Sequence, residues 1–214
     1  MSAGAFRDRL LARLVPAAIS LSADQIERLA EYWRLLERWN AKINLTSLPL
    51  QNFPSATVDR LIVEPVLASS LMPQAPNAWY DVGSGGGSPA IPLKVVAPAG
   101  QLTMVESRSR KAAFLREVVR NLSFADSARV ESRRIEEVAS ERPGTADCVT
   151  IRAVRVDTAL SAQLSQLVAS GAQLILFEPE NAASEPEGFQ LINSIRLPAT
   201  EAIARLFVPR GTKG

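Results

Sequence analysis

The sequence predicts an α/β protein in which a helical N-terminal cap, residues 1–75, precedes a seven-stranded, mostly parallel sheet over residues 76–214. Two patterns support this fold. From residue 79 onward, short apolar runs alternate with helical periodicity, which is typical of parallel strands joined by right-handed crossovers. Residues 79–92 run from aromatic and branched strand formers into four closely spaced glycines and then into a helix. We expect the two regions to form one compact unit.

The composition excludes several kinds of protein. The chain has 214 residues, of which 47% are hydrophobic and 21% charged, as expected for a soluble globular protein with a sizeable core. Its single cysteine, Cys148, rules out an intrachain disulfide, and the absence of histidine removes the commonest metal ligand and general base. No stretch approaches about 18 uncharged apolar residues, and no signal-like segment opens the chain. We therefore expect a cytoplasmic protein that binds neither metal nor membrane.

The N-terminal cap is predicted to consist of three helices. Apolar residues recur on one face over residues 3–14, which indicates the first helix. The second begins at a capping box formed by Ser22 and Gln25 and runs to about residue 39. The third covers residues 55–71 and should bend near Pro65, because proline lacks the N–H that a helix interior needs.

The second region is predicted to alternate strands with helices. The strands are expected at residues 79–82, 101–106, 128–131, 147–152, 172–177, 189–195 and 203–208. The helices are expected at residues 89–97, 108–122, 133–140 and 158–169. Because ligands of such sheets bind outside the carboxyl ends of the strands, the chemistry is expected close to Asp81, Glu106 and Arg152.

The loop after the first strand is predicted to bind a nucleotide cofactor. Gly83 and Gly85 allow close backbone approach. Ser88 is expected to cap the next helix, with Pro89 at the first helical position. The dinucleotide pattern Gly-x-Gly-x-x-Gly would require glycine at 88, so NAD does not fit. Glu106 ends the second strand 23 residues after Gly83, close to the spacing of about 20 residues that places a carboxylate on a ribose.

The pattern Asp-x-Gly-Ser-Gly-x-Gly at residues 81–87 resembles the first motif of class I S-adenosylmethionine-dependent methyltransferases. Further motifs narrow the resemblance to the RsmG (GidB) family, which methylates guanine N7 in a loop of 16S ribosomal RNA. These motifs are Trp39-Asn40, Asn44-Leu45-Thr46, Ile91-Pro92-Leu93, Glu106-Ser107, Arg134-Ile135-Glu136 and Arg152-Ala153. The resemblance extends from about residue 22 to residue 208.

The resemblance implies a class I methyltransferase fold, a Rossmann-like sheet whose last two strands form an antiparallel hairpin. It implies S-adenosylmethionine as the cofactor. The implied cofactor contacts are Gly83, Gly85, Ser88, Glu106, Ile135, Glu136 and Arg152. Arg152 is also the expected catalytic residue, since it ends the fourth strand beside the methyl acceptor. The protein is expected to act as a monomer on 16S ribosomal RNA or the small ribosomal subunit, without a metal.

A basic segment is the candidate RNA-binding site. Arg108, Arg110 and Lys111 open the helix after the second strand, where positive charge opposes the helix dipole. A phosphate would be a suitable partner for them. Alternatively, these cations pair with Glu106 or Glu131, or are simply solvated.

Two departures from the family pattern concern the substrate side of the site. Where the family usually has His-x-x-Asp-Ser, this chain has Leu61, Glu64 and Pro65. Where the family usually has Lys-Gly, it has Glu178-Pro179. Two alternative functions therefore stay open. One is a small-molecule methyltransferase whose N-terminal helices form a lid, and the other is an RNA-binding assembly protein with weakened catalysis.

Overall fold

The structure, a computed structural model, describes residues 3–181, 185–197 and 201–211. Within these ranges seven strands form one sheet in the order β3-β2-β1-β4-β5-β7-β6. The strands are β1 (Trp79–Val82), β2 (Leu102–Val105), β3 (Ala128–Glu131), β4 (Ala146–Arg152), β5 (Val168–Pro179), β6 (Phe189–Leu197) and β7 (Ala202–Pro209). The first five pair in parallel, and β7 is antiparallel to both β5 and β6. The predicted sheet and its terminal hairpin are confirmed.

Two helices begin the cap, α1 (Ala3–Leu14) and α2 (Ala23–Asn40), joined through a 3₁₀ turn at Val15–Ala17. The predicted capping box starts α2. The Ser22 hydroxyl accepts the Gln25 N–H at 3.2 Å, and the Gln25 side chain accepts the Ser22 N–H at 2.9 Å. These reciprocal bonds satisfy two N–H groups that a helix start would otherwise leave without partners.

The third helix of the cap is irregular. It consists of α3 (Ser55–Val58), a π-helical stretch (Asp59–Val63), α4 (Glu64–Leu67) and a 3₁₀ turn (Ala68–Leu71). Pro65 has no N–H to donate, and the Glu64 N–H reaches back five residues to the Asp59 carbonyl. The predicted bend therefore takes the form of a π-helical stretch just before Pro65. It leaves Glu64 fully buried.

Four more helices connect the parallel strands: α5 (Ala90–Val96), α6 (Ser109–Asn121), α7 (Ile135–Glu141) and α8 (Thr158–Leu167). Successive strand residues point to opposite faces of the sheet, so Trp79 joins one hydrophobic cluster and Tyr80 the other. The Trp79 cluster also contains Trp33 and other residues of the cap. The division of the chain at residue 75 stays a prediction. No helix in the described ranges is long and apolar enough to cross a membrane.

The start of α5 differs from the sequence prediction, in which Ser88 caps the helix. In the structure α5 begins at Ala90, Pro89 occupies the N-cap position, and no side chain caps it. The Ser88–Pro89 peptide bond is cis. Because Ser88 precedes the N-cap by one residue, its hydroxyl is free to face the sheet, where it accepts an N–H from Arg152 at 3.3 Å.

Candidate active site

The candidate site lies at the carboxyl end of β1, where the order of the sheet reverses. Strands β2 and β4 flank β1, and the crevice at such a switch point is the usual ligand position. Two cavities open there, and Gly83, Glu106, Arg108 and Val154 line both of them. Gly83 has a φ of +72°, and a β-carbon on it would lie 2.6 Å from the Cγ2 atom of Val154. Glycine is therefore required at this position for both reasons.

The first cavity, which we call the β2–β3 cavity, has a volume of about 740 Å³. This lies within the range of about 300–1,000 Å³ that is typical of small-molecule sites. Its apolar walls are Val82, Val105, Ile135 and Leu160, and its polar lining residues are Glu106, Ser107, Arg108, Ser132, Arg133, Arg134, Glu136 and Glu137. Four of the predicted cofactor-binding residues meet here: Gly83, Glu106, Ile135 and Glu136.

Glu106 is fixed by backbone hydrogen bonds. Its Oε2 atom accepts the Gly85 N–H at 2.9 Å, and its Oε1 atom accepts the Arg108 N–H at 2.8 Å. The residue is only 7% exposed. A carboxylate oxygen has two lone pairs, so each oxygen of Glu106 can accept one further hydrogen bond. The carboxylate is therefore oriented, tied to the glycine loop and still able to receive two hydroxyl groups.

The second cavity, the β1–β4 cavity, has a volume of about 510 Å³. The glycine loop, the cap, the start of α6 and the residues after β4 all contribute to its lining. The lining contains four cationic residues and one carboxylate. The cations are Arg60, Arg108, Lys111 and Arg152, and the carboxylate is Glu106. Ser84, Ser88, Thr46 and Ser47 add hydroxyl groups. The cavity therefore suits an electron-rich or anionic ligand.

Residues of the cap contact the glycine loop directly. The Asn40 Oδ1 atom accepts the N–H groups of Leu45 at 2.9 Å and Thr46 at 3.0 Å, which fixes the turn after α2. The Tyr32 hydroxyl donates to the Gly86 carbonyl at 2.7 Å. A β-carbon on Gly86 would already touch Leu45. The two Asn-containing motifs of the cap thus build the wall that faces the glycine loop.

Arg152 ends β4 and is held within the protein. Its Nη2 atom donates to the Glu64 carboxylate at 2.8 Å, and its Nη1 atom donates to the Arg60 carbonyl and to the Ser88 hydroxyl. The guanidinium lies 4.5 Å from the centroid of the Phe177 ring. Burial lowers the pKa of Arg152 to about 10, although Glu64 raises it. The structure thus brings Arg152 to the predicted site, with most of its N–H groups already bound.

Asp81 is buried beneath the glycine loop. Its Oδ1 atom accepts the Thr150 hydroxyl at 2.6 Å, and Thr150 in turn accepts the Trp79 indole N–H at 3.0 Å. The register that places Asp81 beside Thr150 makes this chain of bonds possible. The Oδ2 atom is buried and has no partner in the described part of the chain. Burial raises the pKa of Asp81 to about 6, opposed by the Thr150 hydrogen bond and the Arg152 charge.

The pKa of Asp81 should make the protein less stable as the pH rises from about 4 to 6. In the unfolded chain an aspartate titrates near 3.9, whereas in the folded protein the value is about 6. The folded state therefore binds an extra proton between these values, and the stability it confers is lost as the pH rises through 6. We expect the free energy of unfolding of the wild type, minus that of Asp81→Asn, to decline over this range. Urea unfolding at several pH values measures it, and a constant difference would contradict the assignment.

The predicted RNA-binding residues lie in a cleft that joins the cap to the start of α6. This α6 cleft, about 640 Å³ in volume, is lined by Lys42, Ile43, Asn44, Ser107, Arg108, Ser109, Arg110 and Lys111. Arg108 and Lys111 also line the β1–β4 cavity, so the two spaces adjoin.

Among the described residues these cations do not pair with nearby carboxylates, which was the alternative interpretation. There Glu106 accepts backbone N–H groups, those of Gly85 and Arg108, and Glu131 forms ion pairs with Arg133 and Arg142. Across residues 3–181, 185–197 and 201–211, none of the four cations of the α6 cleft forms an ion pair. Phosphate binding and simple solvation are the interpretations that stay open.

Glu178, which stands where the family usually has lysine, is not an unpaired carboxylate at the mouth of the site. Its side chain forms an ion pair with Arg205 of β7, and both side chains are only 11% exposed. Arg205 also lies over the Phe207 ring, with 5.6 Å to its centroid. The carboxylate is therefore compensated inside the sheet, which weakens the sequence-based reason for doubting an anionic substrate.

Several residues of the site were not predicted to belong to it. Arg60 lines the β1–β4 cavity, and Glu64, named from the sequence only as a departure from the family pattern, pairs with Arg60. Lys42 lines the α6 cleft beside Asn44, which the sequence showed only as a motif residue. The sequence did contain an indication for Arg60 and Glu64. They are opposite charges four residues apart in an otherwise apolar segment, a spacing that allows an ion pair on a helix. Nothing comparable marks Lys42.

The same fold occurs in solved structures of two proteins named as methyltransferases and of one protein bound to S-adenosylmethionine. Mitomycin 7-O-methyltransferase MmcR gives a TM-score of 0.60 at 14% identity, covering 84% of this chain and 60% of that one. The putative methyltransferase yhhF from Escherichia coli gives 0.56 at 16% identity, covering 70% and 87%. A mutant of MtNAS in complex with S-adenosylmethionine gives 0.60 at 13% identity, covering 85% and 74%. The fold is that of S-adenosylmethionine-dependent methyltransferases.

Sequence comparison gives the particular family. The model of the GidB family, rRNA small subunit methyltransferase G, matches residues 25–197. Ribosomal RNA small subunit methyltransferase G from Xanthomonas campestris pv. campestris (strain B100) is 32% identical over 199 residues, 89% of each chain. The protein of that name from Neisseria meningitidis serogroup C / serotype 2a is 37% identical over 150 residues, 69% of this chain and 67% of its own. The chain belongs to the GidB family of rRNA methyltransferases.

The residues present fit the cofactor of this class. The apolar walls of the β2–β3 cavity suit an adenine ring, and the free lone pairs of Glu106 suit the two ribose hydroxyls. A cofactor carrying adenosine would satisfy both features.

Proposed function

We propose that this protein transfers a methyl group from S-adenosylmethionine to N7 of a guanine in 16S ribosomal RNA. The observation that carries the proposal is the junction of the two cavities at Gly83. One cavity has a fixed carboxylate for a ribose, and the other is lined by cations and adjoins a cleft whose basic side chains form no ion pair within the described part of the chain. We further propose that the protein acts as a monomer in the cytoplasm, on the RNA or on the small ribosomal subunit.

The cofactor would lie across Gly83. Its ribose would bind Glu106, its adenine would pack on Ile135 beside Glu136, and its methionine part would run along Gly85 and Ser88. When bound, it supplies an electrophilic methyl group attached to a sulfonium sulfur. The Gly85 N–H that Glu106 accepts links the ribose site to the glycine loop, so both parts of the cofactor would be bound by one rigid unit.

The acceptor chemistry requires placement more than proton transfer. Guanine N7 has an in-plane lone pair and no proton at neutral pH. This lone pair forms the bond to the methyl carbon as the carbon–sulfur bond breaks, and the electron pair of that bond stays on sulfur. The protein must therefore hold N7 in line with the methyl group at about 3–3.5 Å and exclude water. A chain without histidine can do this, because no general base is needed.

Arg152 would help to place the guanine indirectly, by holding the wall of the β1–β4 cavity in position. Because its donors are bound to Glu64, Arg60 and Ser88, it fixes the cap segment against the glycine loop. Its predicted role as the catalytic residue stays a prediction. Its contacts favour positioning of the cavity wall over contact with the base.

Mapping of N7-methylguanine in 16S ribosomal RNA tests the proposal. RNA from a strain that lacks the gene should lose one N7-methylguanine, and the wild-type gene should restore it. A variant with Glu106→Ala should not. Purified protein should transfer labelled methyl groups to the RNA or subunit and not to small acceptors. Labelling of small acceptors alone would favour the small-molecule alternative, and a defect in subunit assembly with the RNA methylated as before would favour the assembly protein.

The rate of methyl transfer should be nearly independent of pH between about 6 and 9. Two buried groups of the site, Asp81 and Arg152, have pKa values of about 6 and about 10, so neither titrates within this range. Since N7 has no proton to lose, no acid or base step should shape the rate over this range. Single-turnover rates at saturating RNA measure this dependence. A steep rise through neutrality would point to an acceptor that loses a proton, such as an exocyclic amine, and would exclude N7.

The α6 cleft should contribute to the salt dependence of RNA binding. Replacing Arg108, Arg110 and Lys111 with serine should lower the slope of log affinity against log salt by about 0.7 for each lost single-strand phosphate contact. Lys42→Ser should lower the same slope, although it lies on the cap. Arg116→Ser with Arg120→Ser is the control, because both residues are exposed on the same helix and neither lines the cleft. If all variants have the same slope, the cations of the α6 cleft are solvated and do not contact RNA phosphates.

A further inference from the structure

Two arginines share one buried carboxylate behind the β1–β4 cavity. The Glu64 Oε2 atom accepts from Arg152 Nη2 at 2.8 Å and from Arg60 Nη1 at 3.2 Å. The Glu64 side chain is fully buried, that of Arg152 is 5% exposed and that of Arg60 is 24% exposed. The cluster therefore has a buried end at Arg152 and an accessible end at Arg60.

The accessible end has hydrogen-bond donors to offer. In the described part of the chain, the guanidinium of Arg60 hydrogen-bonds only to Glu64, and a guanidinium has five N–H donors. Arg60 also lines the cavity beside Ser84 and Ser88 of the glycine loop. Arg152, in contrast, binds Glu64, the Arg60 carbonyl and Ser88. The Nε atom of Arg152 also has no hydrogen-bond partner among the described residues, but it is buried. The Arg60 side chain is 24% exposed, so its free donors are the more accessible to a ligand in the cavity.

We propose that Arg60 donates a hydrogen bond to O6 of the acceptor guanine and so selects guanine, and that Glu64 is the positioning residue that orients Arg60. This inference rests on the proposed N7 methylation. It assigns base selection to a residue of the cap rather than to the glycine loop or the end of β4.

The chemistry of the base edge explains why one donor suffices. Guanine presents two acceptors side by side, N7 and O6, whereas adenine presents N7 and an N6 amino donor. N7 must keep its lone pair for the methyl group, so the selecting donor has to address O6 alone. With adenine the Arg60 donor would face another donor. Both would be left without partners in a partly desolvated site, which disfavours that base.

The charge of Glu64 serves the same step. Transfer to N7 leaves the base positively charged, and two arginines beside it would oppose that charge. Glu64 contributes one negative charge to the cluster and reduces its net charge from two positive charges to one. It also binds Nη1 of Arg60, which limits the rotation of a long side chain. Loss of the carboxylate should therefore affect the chemical step more than binding of the RNA.

Acceptor analogues test the role of Arg60. An RNA that contains the acceptor loop is assembled with guanosine, or with 2-aminopurine riboside, which keeps N7 and lacks O6, at the acceptor position. Arg60→Met should lower the single-turnover rate on guanosine by about 10- to 100-fold, the loss expected for one hydrogen bond from a charged donor. On 2-aminopurine the same variant should lose little. The intrinsic reactivities of the two bases cancel, because each is compared between the same two proteins.

Two controls accompany this experiment. Arg34→Met removes an exposed arginine of α2 that lines neither cavity and should leave both rates unchanged. Calorimetry should show the same S-adenosylmethionine affinity for Arg60→Met as for the wild type. If Arg60→Met lowers the rate equally on the two acceptors, Arg60 does not recognise O6 and the proposal is wrong. Failure of the wild type to methylate N7 in the guanosine RNA would instead overturn the proposed function itself and this inference with it.

Variants of Glu64 test the positioning role. Glu64→Gln should lower kcat and the preference for guanosine over 2-aminopurine, with KM for the RNA nearly unchanged. Glu64→Asp keeps the charge and should restore part of that preference. Urea unfolding shows whether each variant is folded. A Glu64→Gln protein that is folded, active and fully selective would contradict the role, as would a Glu64→Asp protein no better than Glu64→Gln.

Discussion

Glu106→Ala should weaken the binding of S-adenosylmethionine by about 1.5–3 kcal/mol, the range for hydrogen bonds to a charged group. The variant loses the proposed ribose acceptor. It also releases the N–H groups of Gly85 and Arg108, which the carboxylate holds at 2.9 and 2.8 Å. The loss should therefore lie towards the upper end of the range, because the glycine loop loses a restraint as well. Calorimetry with the purified protein measures it.

Glu131→Ala is the matched control for this experiment. Glu131 ends β3, the strand next to β2, so it lies at the same edge of the sheet, but it lines neither cavity and pairs with Arg133 and Arg142. Its removal should leave the cofactor affinity unchanged. Unchanged affinity in folded Glu106→Ala would show that the ribose is bound elsewhere. An equal loss in both variants would show a general effect of removing carboxylates from this edge.

Arg152→Met should destabilise the protein by about 3–5 kcal/mol, the usual cost of removing one partner from a buried ion pair. The change leaves Glu64 fully buried with Arg60 as its remaining cation among the contacts described above. It also removes the bonds to the Arg60 carbonyl and to Ser88, so the cap segment would be less firmly placed. We therefore expect a strong loss of methyl-transfer rate as well. Urea unfolding and single-turnover kinetics measure the two effects.

A double variant separates charge from packing in this result. Adding Glu64→Gln to Arg152→Met removes the charge of the buried carboxylate that has lost Arg152, so part of the lost stability should return although two native residues are then missing. Arg34→Met, which breaks an exposed ion pair, is the control and should change the free energy of unfolding by less than about 1 kcal/mol. No recovery in the double variant would mean that the cost of Arg152→Met comes from packing against Phe177 rather than from the buried charge.

The sequence was informative wherever a local pattern has one physical solution. The capping box at Ser22 and Gln25 begins α2, and the alternation of strands and helices yields the parallel sheet with its terminal hairpin. Glu106 could be identified because the spacing from Gly83 to the end of the second strand follows from the length of one crossover helix. The prediction of Ser88 as a helix cap was wrong because the geometry of the turn at Pro89 decides which residue begins α5, and the pattern alone does not.

Only the tertiary structure decided which charges meet. Arg152 lies 92 residues after Arg60, yet the two share Glu64, because the π-helical stretch of the cap packs against the end of β4. The antiparallel register of β5 and β7 likewise brings Arg205 to Glu178, the carboxylate that stands where the family usually has lysine. A propensity or a cap depends on a few neighbouring residues and can be read locally. An ion pair or a cleft depends on the packing of distant elements, so the sequence specifies it only through the complete fold.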